Sequence, residues 1–208
     1  MPEPFTRLYL ILPPTADAAL FRPVLGAALA AGDVACVLLP SGPDLKATAQ
    51  SLVALVQERG AAFLVEGDPR QVARTGADGV HIAYAQDLVG DAVSSLGADR
   101  IVGVGAVETR DDAMNAGEAG ASYVMFGEPD ASGHRPDSEL TLERVGWWAE
   151  IFNVPCVAYA GSLDEIGPLA EAGAEFVALG DAVWNHPTGP ADAIKQAQAI
   201  LANAVLTA

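Results

Sequence analysis

Short apolar runs recur along the chain at Leu8–Leu12, Val34–Leu39, Ala62–Val65, Gly79–Ile82, Ile101–Gly105, Tyr123–Gly127, Cys156–Ala160 and Phe176–Gly180. They read as continuous hydrophobic runs without polar alternation, the signature of strands buried on both faces. Between them, stretches such as Ala18–Ala31, Leu45–Arg59, Asp111–Ala119, Leu140–Phe152 and Asp164–Ala172 carry apolar residues at helical spacing. Strand then helix, repeated eight times, predicts parallel strands covered by helices.

Four of the helical stretches end in small-residue turns: Ala30–Asp33, Thr75–Asp78, Ala119–Ser122 and Ala172–Glu175. Glycine there adopts a left-handed cap at little cost, so Gly32, Gly76, Gly120 and Gly173 are expected at positive φ. The punctuation continues unbroken to the eighth strand, which favours an α/β fold of the closed (β/α)8 type, a TIM barrel, over an open Rossmann-like sheet. One domain over residues 1–208 is the expected organisation, because no Ser/Gly linker or low-complexity block divides the chain. Pro187–Pro190 precedes a final helix from about Ala191 to Ala204.

Composition narrows the partners. With 208 residues and 51% apolar content the chain can bury a sizeable core. Its 27 acidic residues against 11 Lys plus Arg leave a formal charge of −16, which repels nucleic acid and anionic membranes. No apolar run approaches the roughly 20 residues that span a bilayer. Glu3 lies where a signal peptide carries basic charge, so a cytoplasmic location is expected. Cys36 and Cys156 sit inside apolar runs, which suits buried thiols in a reducing compartment.

In such a barrel the chemistry gathers at the C-terminal ends of the strands. The residues there are acidic: Glu66, Asp68, Asp87, Glu108, Glu128, Asp130 and Asp181, with His134 and Arg135 the nearby bases and Lys46 and Arg70 further candidates. That composition fits a bound divalent cation, a cationic ligand, or carboxylates that face solvent and cap helices, as Asp87 and Asp181 could. Gly161-Ser162 after strand seven, with Gly180 ending strand eight, resembles the barrel phosphate site, although Asp181 would repel an anion at the same helix start. His81 on a core strand reads first as a satisfied structural donor. Gly103-Val-Gly105 lacks the third glycine of a dinucleotide loop.

Several runs taken together resemble the thiamine-phosphate synthase and thiazole-tautomerase superfamily. Leu8-Tyr9-Leu10-Ile11 is similar to its first strand. Gly76-Ala-Asp-Gly-Val-His-Ile82 resembles its Gly-Ala-Asp-Gly-Val-His-Leu segment, Ile101–Gly105 its Ile-Val-Gly-Val-Ser strand and Gly120–Gly127 its Gly-Ala-Asp-Tyr-Val-Gly-Phe-Gly segment. Val154 to Gly161 resembles its Pro-Val-Val-Ala-Ile-Gly-Gly segment. The resemblance implies coupling of a pyrimidine diphosphate to a thiazole phosphate with magnesium, expelling pyrophosphate. It assigns Asp87, with Glu66 or Asp68, to Mg2+, and Arg135, Gly161, Ser162, Gly180 and Asp181 to substrate.

The family's Gln-x-Arg-x-Lys after strand two is Leu38–Gly42 here, and its Asn-Asp after strand three is Glu66-Gly67. Its Thr-x-Thr-Lys loop becomes Ala131–Arg135. Losing those cations reverses the field that would stabilise departing pyrophosphate, so the resemblance implies coupling that is weak or lost. Two alternatives stay open. One is a tautomerase-like isomerase in which Glu128, with His134 nearby, serves as the catalytic group. The other is a non-catalytic binder of thiamine or a related cation. Expected ligands are thiazole phosphate, thiamine phosphate or thiamine, and the assembly leaves room for a homodimer.

Overall fold

A computed structural model of the chain describes residues 6–14, 18–130 and 132–207. The N-terminal residues 1–5, read above for their charge, and Ala131 lie outside the described residues. The strands are β1 (Arg7–Ile11), β2 (Val34–Leu39), β3 (Ala62–Glu66), β4 (Gly79–Ala83), β5 (Ile101–Gly105), β6 (Tyr123–Phe126), β7 (Cys156–Ala160) and β8 (Phe176–Leu179). Each pairs in parallel with the next, and β1 pairs with β8, so the sheet closes into a barrel rather than remaining open.

Helices α1 (Ala18–Ala31), α2 (Leu45–Gln57), α3 (Arg70–Thr75), α4 (Leu88–Leu96), α5 (Arg110–Glu118) and α6 (Ser138–Ile151) follow strands one to six. After β7 come a 3-10 turn at Leu163–Glu165 and α7 (Ile166–Glu171), and after β8 come α8 (Asp181–Trp184) and α9 (Pro190–Thr207). The stretch Asp164–Ala172, expected as one helix, is thus split. Pro168 has no N–H for the Asp164 carbonyl, which interrupts the ladder at that point.

Gly76, Gly120 and Gly173 take positive φ of 78°, 95° and 101°, as their turns require. Gly32 does not, and its small size serves another purpose. A Cβ there would lie 2.6 Å from Gln198 Cγ and 2.8 Å from Ile194 Cγ2, so it lets α9 pack close. The polar residue that follows three of these turns acts as a strap. Asp78 Oδ2 accepts from Phe63 N–H at 2.8 Å, Ser122 Oγ from Val102 N–H at 3.0 Å and Glu175 Oε2 from Cys156 N–H at 2.8 Å. These bonds tie β3 to β4, β5 to β6 and β7 to β8 at the N-terminal end of the barrel.

Inside the barrel Tyr9, Cys36, Leu38, Leu64, Tyr123, Met125, Val157 and Ala178 form one buried cluster, while the outward faces of the strands pack on the helices. Cys36 and Cys156 are free and buried, and burial pushes both thiols up, away from the reactive thiolate. Among the described residues no helix is long and apolar enough to cross a membrane.

Candidate functional site

Beyond β6 the chain turns at Gly127, whose φ of 84° suits glycine, and this brings Glu128 back over the end of β5. Glu128 Oε1 accepts from the N–H of Ala106, and Oε2 lies 3.3 Å from His81 Nε2. Two features make room for the carboxylate. A Cβ at Gly105 would collide with it and with the His81 ring, and Ala106 holds the uncommon φ of 52° for a residue with a side chain. The following loop is anchored by Thr109 and Asp112, whose side chains reciprocally bond each other's N–H at 3.1 and 2.9 Å at the start of α5.

His81 is 3% exposed and continues the contact inward. Its Nδ1 is 2.9 Å from the Tyr123 hydroxyl, which lies 2.8 Å from the Tyr9 hydroxyl. Burial pushes both tyrosines well above their usual range, so they remain neutral hydroxyls. The chain is satisfied throughout when Tyr9 donates to Tyr123, Tyr123 to His81 Nδ1, and His81 Nε2–H to Glu128 Oε2. A carboxylate with two donors, one oriented by a buried relay, can take a proton from a ligand. Glu128 and His134 line one cavity of about 240 Å³ with Ala106, Glu108, Asp130 and Pro136. His134 is exposed, and its N–H donates to Asp130 Oδ1 at 2.9 Å.

Across the mouth, Arg135 reaches β7. Its Nε donates to the Gly127 carbonyl at 3.3 Å and Nη2 to the Tyr159 carbonyl at 3.2 Å, and its guanidinium lies 4.9 Å from the Tyr159 ring centre. Nη1 and Nη2 also donate to the two oxygens of Glu165 at 3.3 and 2.9 Å, and Glu165 Oε2 accepts from Gly161 N–H at 2.9 Å. Ser162 opens the 3-10 turn, and Gly180 lies beside Tyr159, where a Cβ would be 3.3 Å from the hydroxyl. Burial raises the Tyr159 hydroxyl above its usual range; Arg135 opposes that shift, while Asp181 and Glu165 add to it. Asp181 begins α8 and is exposed.

Of the three carboxylates assigned to magnesium, two are held by separate partners and one faces solvent. Glu66 Oε2 accepts from Ser41 N–H at 2.7 Å, Asp68 is clamped by Arg70 Nε at 2.9 and 3.0 Å, and Asp87 is exposed ahead of α4. Among the described residues no group of three or more His, Cys, Asp or Glu is arranged to hold a metal ion.

A sequence model described as "Thiamine monophosphate synthase" matches residues 8–183. The chain belongs to that family. The thiamine-phosphate synthase of Rhodospirillum centenum (strain ATCC 51521 / SW) is 45% identical over 194 residues, covering 90% of this chain and 94% of that protein. The thiamine-phosphate synthase of Hyphomonas neptunium (strain ATCC 15444) is 39% identical over 213 residues, 96% and 95% of the two chains. Among solved structures, the thiamine phosphate pyrophosphorylase from Pyrococcus furiosus superposes with a TM-score of 0.79 over 97% of this chain and 98% of that one, at 19% identity, a likeness of fold.

Membership in the thiamine monophosphate synthase family links the chain to thiamine biosynthesis. Within that framework sequence reasoning missed two partners. By sequence His81 reads as a structural donor, yet its second nitrogen faces the mouth through Glu128. Glu165 was read only as part of a helix, and its four-residue spacing from Gly161 was the available signal.

Proposed function

We propose that this protein serves thiamine biosynthesis in the cytoplasm. In this reading it binds a thiazole-containing ligand at the β6–β8 wall of the mouth, and its coupling of pyrimidine diphosphate to thiazole phosphate is weak. The observation that carries the reading is the asymmetry of the mouth. The β6–β8 wall carries Arg135, paired with Glu165, beside the Gly161 loop, Ser162 and Gly180, whereas the β2–β4 wall carries Ser41, Glu66 and Asp68, with Arg70 paired to Asp68. A departing pyrophosphate needs fixed positive charge where it leaves, and carboxylates there oppose it. No step of this reading passes through a metal ion.

The test is to incubate the protein with both substrates and magnesium and to quantify thiamine phosphate as its fluorescent oxidised product. Removing even one such donor costs about 10²–10³ in kcat, so turnover should lie at least about 100-fold below that of an authentic synthase. Equal turnover would overturn the reading.

A second reading, an isomerase of thiazole tautomers, is supported by the clamp on Glu128 from Ala106 N–H and His81. In that case Glu128→Gln abolishes solvent deuterium incorporation into a thiazole substrate while leaving its affinity within about threefold, since proton transfer, not binding, is removed. Undiminished exchange in the variant would eliminate Glu128 as the base.

A further inference from the structure

Just beyond β7 the Gly161 N–H and two N–H groups of Arg135 converge, and all three point at a side chain of the protein itself. Glu165 Oε2 accepts from Gly161 N–H at 2.9 Å and from Arg135 Nη2 at 2.9 Å, and Oε1 accepts from Nη1 at 3.3 Å. The contact between loop and guanidinium is built into the sequence. A Cβ at Gly161 would collide with Arg135 Nη1, so glycine lets the guanidinium lie on the loop. Arg135 does not depend on Glu165 for its place. Its Nε donates to the Gly127 carbonyl, Nη2 donates also to the Tyr159 carbonyl, and the guanidinium lies 4.9 Å from the Tyr159 ring centre. With Glu165 turned away, Arg135 keeps these contacts and presents the same donors.

The seat suits a larger anion better than it suits this carboxylate. A carboxylate brings two oxygens and a single charge, so Glu165 shares Oε2 between Gly161 and Arg135. A phosphate monoester brings three terminal oxygens and a charge of about −1.5 to −2 at neutral pH, and gives each donor an oxygen of its own. Glu165 also has somewhere to go. Its side chain already lines a groove of about 170 Å³ between α6 and α7, with Ser138 and Thr141 in the same wall, so a change of side-chain rotamer moves the carboxylate without moving the loop. Asp164 lines that groove too, and its like charge opposes the move and favours the resting contact with Arg135.

We propose that Glu165 is a displaceable latch on this anion seat. With no ligand bound it stands in for the phosphate of a phosphate monoester, and the ester binds by turning it toward the α6–α7 groove and taking over the Gly161 N–H and Arg135. The inference rests on the reading that the β6–β8 wall is the ligand-binding side, and adds to that wall an internal competitor. The apparent affinity for the ester is lowered by the fraction of molecules in which the seat is filled, so Glu165 sets how tightly the anionic end of the ligand is held. A ligand without an anion leaves the latch closed.

Calorimetry and nuclear magnetic resonance on the full chain test this with inorganic phosphate, thiazole phosphate and the thiazole alcohol as probes. With glutamate carboxyl carbons isotopically labelled, the signal missing from a Glu165→Gln spectrum belongs to Glu165. In the wild type that signal should move as inorganic phosphate is added and level off along the calorimetric binding curve. Glu165→Gln keeps the size and removes the competing charge; it should bind inorganic phosphate and thiazole phosphate at least about tenfold more tightly, while the alcohol changes less than about threefold. A residue that merely holds the loop together would, when replaced, weaken all three probes. Should Glu165→Gln not fold, Glu165→Asp supplies the assignment, and its carboxylate, one methylene short of the seat, gives a smaller gain of the same sign. A Glu165 signal that stays in place at saturating phosphate overturns the proposal, as does a folded variant with no gain for inorganic phosphate. If phosphate moves Glu165 but neither thiazole compound binds either form, the latch stands and the thiamine reading fails. If thiazole phosphate binds the wild type with Glu165 unmoved, the latch fails and the thiamine reading stands.

Discussion

Glu165 shows how one side chain joins stability to function. Its carboxyl is pulled below the ordinary value of 4.5 by Arg135 and Gly161 N–H against the opposing effect of burial. A carboxylate whose folded value is depressed contributes stability that is complete above its unfolded value and is lost as pH falls through the folded one. We therefore expect the thermal midpoint of the wild type to fall more steeply than that of Glu165→Gln as pH drops below about 4.5. Circular dichroism melts between about pH 3 and 7 would read the difference; parallel curves would mean the pair contributes nothing to folding. Much of the candidate site is legible at this scale. Glu128, His134, Arg135, Gly161 and Gly180 are all strand-end residues that the alternation of elements marks. What they touch was not legible, because His81, Glu128 and Tyr123 are 42 and 47 residues apart along the chain in the two bonds that join them.

Among the elements, the recurrent turns carry more than their glycines. Asp78 receives the N–H of Phe63 and also the Gln57 side chain at 3.0 Å, so it secures β3 and α2 to the start of β4. Asp78→Ala leaves the Phe63 N–H unpaired beside a fully buried residue, a loss of about 1–3 kcal/mol. For a chain of this size that lowers the thermal midpoint by several degrees, at about 2–4 °C per kcal/mol. A midpoint within about 1 °C of the wild type would show that the strap is replaced by water or a neighbouring acceptor. The strands were legible to within a residue because a doubly buried strand is a continuous apolar run. The six-residue α3 and the split before α7 were harder, since so short a helix completes fewer than two turns and Pro168 breaks the hydrogen-bond ladder without altering the apolar pattern.

At the scale of the whole molecule, the charge of −16 and the acidic strand ends suggest a cation, but the folded chain ties Glu66, Asp68, Glu128 and Asp130 to different donors. A magnesium site with a Kd of about 0.1 mM would add about 2.7 kcal/mol at hundredfold excess, which is several degrees in midpoint. We expect about 10 mM magnesium chloride to leave the midpoint where sodium chloride of equal ionic strength leaves it. A specific rise with magnesium would mean the carboxylates converge when the ion is present. By itself the sequence determined the strand and helix alternation, the closed barrel and the family. These follow from local patterning and from runs of neighbouring residues. Tertiary structure alone decided which acid faces which donor. It set Glu128 on His81 and Ala106, Glu165 on Arg135 and Gly161, and Glu66 on Ser41, because closing the barrel brings together groups that no spacing along the chain connects.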